Sequence, residues 1–149
     1  MKISVMLHLL GVIVWVGGMF FAYLVLRPSA AQVLDAGQRL MLWAVVLGRF
    51  FFWVWISVAL ILGSGFQMIS VISELGRVPW HVYAMLYTGV LMTLIFAYVY
   101  VVPYAALRRL VSEQNWTAGA AALARIRVAV GINLALGLAN VLIATIGAM

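Results

Sequence analysis

Four stretches of this chain, Ile3 to Leu26, Phe50 to Ser73, Val78 to Leu107 and Val128 to Met149, contain no charged side chain. Each reaches or exceeds the roughly 20 residues that a helix needs to cross about 30 Å of hydrocarbon. Only 8% of the residues are charged and 68% are hydrophobic, so water is a poor solvent for most of the surface. The predicted class is an all-α integral membrane protein. Its predicted architecture is an up-down bundle of four transmembrane helices, with residues 1–149 as a single domain.

Lys2 precedes the first run, as in a secretory leader. The apolar core exceeds the usual ~7 to 15 residues, and LVLRPSAAQ makes a poor cleavage site, so the run reads as a mature helix. A net charge of +6 could point to nucleic acid, but its distribution points to topology. Arg27, Arg39, Arg49, Arg108, Arg109, Arg125 and Arg127 flank the first and third connections, whereas the other side holds only Lys2 and Arg77. The positive-inside tendency then predicts cytoplasmic arginine-rich connections, both termini periplasmic, and a multi-pass protein of a bacterial inner membrane. Membrane lipids are partners on this reading, and nucleic acid is not.

The chain has no cysteine, which excludes disulfides, thiolate catalysis and cysteine-ligated iron–sulfur clusters within it. Pro28 predicts a turn after the first span, and Pro103 a kink or boundary late in the third. Asn115, Trp116 and Thr117 match a glycosylation sequon, but the predicted cytoplasmic side favours an ordinary loop. Asn133, Gly137 and Asn140 share one stripe of the fourth helix and predict close helix packing with interhelical amide bonds.

The chain has two histidines. His8 lies about 8 Å inside the start of the first run, and His81 begins the third run near the same predicted boundary. Helices one and three run the same way in an up-down bundle, so inward-facing imidazoles could grip one iron from opposite sides. Bis-histidine ligation of haem b follows as the leading expectation, suited to electron transfer near the periplasmic face. His8, Gly11, Trp15 and Gly18 form one stripe, and His81, Met85, Thr88 and Met92 another. The glycines would make room for a flat cofactor, Trp15, Met85 and Thr88 would pack it, and Arg77 would face a propionate. The redox partner would be a quinone or a protein, and a homodimer is compatible; enzymatic activity stays open.

Copper is the alternative, since imidazole and thioether suit Cu(I) and Met6, His8, Met68, His81 and Met85 all lie toward the outer half. A zinc hydrolase lacks a third ligand: Asp35 and Glu113 fall on the other side and Glu74 in an external loop. A structural or assembly role, resting on the small-residue and asparagine stripe, is the third reading.

HLLGVIVWVGGMFFAYLVLRP, WHVYAMLYTGVLMTLIF, YVVPYAALRRL and ARIRVAVGINLALGL together resemble the copper-resistance D (CopD) domain family of multihelical membrane proteins. The resemblance implies copper handling, as transport between periplasm and cytoplasm. The chain also resembles, more distantly, the HemJ-type protoporphyrinogen oxidases, which implies haem ligation by His8 with His81 in a second motif. It lacks the lysine expected after that motif, offering Tyr83 and Met85, and Asn133 is followed by Leu134 rather than an acid. Those departures argue against porphyrin oxidation while leaving haem binding open.

Overall fold

The computed structural model describes all 149 residues. There are no strands, and four helical rods are long and apolar enough to cross a membrane: Lys2–Val33, Ala36–Leu75, Trp80–Ser112 and Trp116–Gly147. Where water is absent a backbone must satisfy its own polar groups, and helices do so within one segment. Side chains in the middle of the rods such as Ile13, Leu94 and Ile132 are exposed, an outer surface that suits lipid.

The first rod comprises α1 (Lys2–Phe20), a π-helical stretch (Phe21–Leu26) and α2 (Arg27–Val33). In that stretch the Arg27 N–H donates to the Ala22 carbonyl, five residues back. Pro28 has no N–H to donate, and its ring would clash with the preceding turn of a regular α-helix; the widened turn lies immediately before it. The expected turn at Pro28 is therefore displaced. Proline starts α2 instead, and the chain reverses at Leu34 and Asp35, where Leu34 is extended.

Asp35 caps α3 (Ala36–Leu75): its Oδ1 accepts from Gln38 N–H at 2.8 Å, and Gln38 Oε1 accepts from the Asp35 N–H at 3.4 Å. At 40 residues α3 is about 60 Å long, twice the hydrocarbon thickness, so it carries its arginines beyond the apolar layer. Gly76, at φ 140°, turns the chain into α4 (Trp80–Val101). Val102 breaks the third rod, and Pro103 starts α5 (Pro103–Ser112), the boundary its sequence predicted. Asn115 accepts from Ala118 N–H at 3.2 Å and so caps α6 (Trp116–Gly147), a structural task for the sequon asparagine.

The rods alternate in direction, and around the bundle their order is α1, α3, α4, α6. The backbones of α1 and α4 lie diagonally and do not approach each other. Both chain termini and the Gly76 turn lie at one end, the terminal end; the other is the arginine-rich end. Because lipid is as apolar as leucine, close packing rather than water exclusion must hold the rods together. Small residues provide it: a Cβ on Gly11 would lie 2.8 Å from Ile61 Cγ1, and one on Gly137 would lie 2.8 Å from Val16 Cγ2. Aromatic rings fill the axis between. Trp15 reaches across to Phe96 with centroids 6.1 Å apart, and Phe51 packs edge-on against Phe96 at 5.3 Å and Tyr104 at 5.0 Å.

Candidate functional site

His8, on α1 near the terminal end, is turned toward α3. Its Nδ1 lies 3.1 Å from the Ile61 carbonyl oxygen and 3.1 Å from Ser64 Oγ. A carbonyl only accepts, so Nδ1 carries the proton in that contact. Ser64 donates its own hydroxyl to the Leu60 carbonyl, which leaves Ser64 Oγ free to accept from the ring. In the neutral ring Nε2 then keeps the lone pair, and a carbonyl behind the imidazole is the usual support of a metal-ligating histidine.

Beside His8, Ser4 donates to Gln67 Oε1 at 2.8 Å. The α1–α3 seam thus carries a polar ladder of Ser4, His8, Ser64 and Gln67, in which both serines are buried. Sequence reasoning missed Ser4, Ser64 and Gln67. The available signal was Ser4 and His8 four residues apart on one helix face, opposite the small run Gly63, Ser64, Gly65; a Cβ on Gly65 would lie 3.7 Å from the His8 ring.

His81 opens α4 and packs on the far end of α6. A Cβ on Gly147 would come 2.5 Å from His81 Cγ, and the ring stands edge-on to Trp80 with centroids 6.1 Å apart. Two rulers give the relative depths. Along α6, Gly147 against His81 lies ten residues, about 15 Å, from Gly137 against Val16. Along α1, His8 lies eight residues, about 12 Å, from that same Val16. The imidazoles therefore share a level to within one helical turn. They occupy different seams, however: His8 sits between α1 and α3, His81 between α4 and α6, on opposite sides of the bundle.

The residues expected to surround a flat cofactor are otherwise engaged. The space over Gly11 holds Ile61 and the Ser57 carbonyl, and the space over Gly18 holds the Phe50 ring, so α3 occupies the room expected there. The first-helix glycines thus do not fit a haem slot. Trp15 is buried in the aromatic core against Phe96. Thr88 donates to the Ala84 carbonyl of its own helix at 2.8 Å. Arg77 is exposed in the turn beside Gly76. No three histidine, aspartate or glutamate side chains come together.

Soft donors recur instead along α4. His81 and Met85 are half-buried one turn apart, and Met92, three turns beyond His81, is buried against Gly137 of α6. At that level the Asn133 side-chain amide donates to the Met92 carbonyl at 3.0 Å, the interhelical amide bond its stripe predicted. The Oδ1 atoms of Asn133 and Asn140 are buried without a hydrogen-bond partner.

No curated protein and no solved structure matches this chain. The family described as Copper resistance protein D matches residues 44–146, more than half of the chain. The match runs from within α3 to the end of α6, so His81, Met85, Met92, Asn133 and Asn140 lie inside it and His8 precedes it. Of the copper and haem readings of the sequence, this favours copper. The protein is a multi-pass membrane protein, and it belongs to the Copper resistance protein D family.

Proposed function

We propose that this protein handles copper as its cargo, receiving Cu(I) at the terminal end of the bundle on His81 and Met85, with Met92 deeper along the same face of α4. The family match carries the reading. The donor chemistry supports it: imidazole and thioether suit Cu(I), and this chain offers no thiolate. His8, with Nε2 left free by its hydrogen bonds to α3, is a second imidazole at the same level. The arginine distribution supports an orientation with this end and both termini on the periplasmic side of a bacterial inner membrane.

The test is Cu(I) competition against a chromophoric chelator, with the protein purified in mild detergent and its metal content and reduced-minus-oxidised spectrum recorded. One retained copper is expected. His81→Ala and Met85→Leu should each weaken retention by more than the roughly tenfold that losing even an outer-shell partner costs a metal site. Retention that survives both substitutions would overturn this site. A stoichiometric haem spectrum lost in His8→Ala and His81→Ala, with no copper, would overturn the function.

A further inference from the structure

A cavity of about 500 Å³ lies away from the histidines, at the arginine-rich end, between the first rod, the start of α3 and the first half of α6. Its walls are mostly apolar: Leu40, Trp43, Leu47 and Ile126 form its buried floor, and Phe50 from α3 with Leu123 and Val130 from α6 are partly exposed in it. Three guanidinium groups also line it, Arg27, Arg39 and Arg127, one from each rod, and no carboxylate does. Arg27 and Arg39 are half-buried, and the Arg27 guanidinium lies 4.6 Å from the centroid of the Tyr23 ring.

Three like charges on one cavity repel one another; Arg127 is exposed, but the half-burial of Arg27 and Arg39 weakens the water that would screen them. Such a cluster is stable when an anion sits among the charges. The first rod departs from α-helical geometry at the same place: Ala22 and Tyr23, in the π-helical stretch, line the cavity, and Tyr23 lies against Gly131 of α6. Single π-turns of this kind concentrate at binding sites.

A small hydrated anion would satisfy the guanidiniums but leave the apolar walls uncovered. An amphiphile satisfies both. We propose that this cavity binds an anionic glycerophospholipid, its phosphate held by Arg27, Arg39 and Arg127 and an acyl chain lying along the half-buried Phe50, Leu123 and Val130. Basic pockets between spanning helices are suited to anionic headgroups, and planar guanidinium forks pair with phosphate oxygens. The site lies at the opposite end from the histidines and needs no copper, so it stands or falls apart from the copper reading.

Native mass spectrometry of the detergent-solubilised protein, offered equal amounts of phosphatidylglycerol and phosphatidylcholine, tests it. The wild type should retain phosphatidylglycerol by at least about tenfold over phosphatidylcholine, and each Arg→Gln substitution at 27, 39 or 127 should lower that preference about fivefold. Arg125→Gln, which removes a charge from the same region of α6 outside the cavity lining, should leave it unchanged. The preference should weaken as salt is raised, a wild-type measurement that does not depend on any variant folding. Equal retention of both lipids, or a preference that survives the triple Arg→Gln change or high salt, overturns the proposal. So does inorganic phosphate displacing the lipid at millimolar concentration, which would mark a simple anion site.

Discussion

The side-chain amide of Asn133 donates to the main-chain carbonyl of Met92 at 3.0 Å, tying the middle of α6 to the middle of α4, while its own Oδ1 is buried with no partner. One residue thus gains an interhelical bond and bears the cost of an unmatched acceptor. It also borders a void of about 10 Å³ beside Trp15, Met19, Phe51 and Phe96, close to the room a single water occupies.

Asn133→Ala should therefore destabilise the bundle by about 1 kcal/mol, the scale of a single amide bond between helices in lipid plus a small cavity. Asn133→Leu, which keeps the branched outline, places its extra bulk against the adjoining void and removes the orphaned acceptor, should cost less than alanine. Equilibrium unfolding in mixed micelles checks both. A larger loss for leucine than for alanine would contradict this account.

Gly17 and Gly18 are adjacent in sequence but should respond to alanine with opposite sign. A Cβ on Gly17 meets nothing within 4 Å, whereas one on Gly18 runs into the Phe50 ring. Gly17→Ala should be neutral or stabilise by up to about 1 kcal/mol through helix propensity. Gly18→Ala should cost about 1 to 3 kcal/mol by pushing α3 away. Thermal midpoints of the two variants should fall on either side of the wild type.

Phe51 is only 2% exposed and joins the rings of Phe50, Phe96, Tyr100 and Tyr104. Phe51→Ala should cost about 3 to 5 kcal/mol, the largest loss among these substitutions. Phe52, its neighbour, is 61% exposed on the lipid-facing side, and Phe52→Ala should cost far less. Similar unfolding midpoints for the two would refute the aromatic core as the structural centre.

The His8 hydrogen bonds specify a tautomer. Nitrogen-15 spectra of histidine-labelled protein at about pH 9, well above the ordinary imidazole range, should show His8 protonated at Nδ1 and bare at Nε2. Ser64→Ala should preserve that pattern, because the Ile61 carbonyl still accepts. Protonation at Nε2 would show that the ring turns away from α3 in solution.

Much of the candidate site was legible only as a set of residues. Spacing along single helices identified His8, His81, Met85 and the Asn133 stripe, because helical periodicity is a local property of the chain. It could not say which neighbour each face meets. The glycines of the first helix read equally well as cofactor space or helix contact, and only the positions of Ile61 and Phe50 settle that choice. The polar ladder stayed hidden because Ser64 and Gln67 acquire meaning from Ser4 and His8 across a seam.

The sequence by itself determined four membrane-spanning helices, their alternating directions and a single arginine-rich end. Long charge-free runs leave the backbone no other way to satisfy its polar groups in lipid. The tertiary structure alone decided that the two imidazoles, already placed near one level by the sequence, lie in opposite seams, and that three arginines from separate rods line one cavity. Both depend on rotation of each rod about its axis, which close packing fixes and residue order along one helix does not.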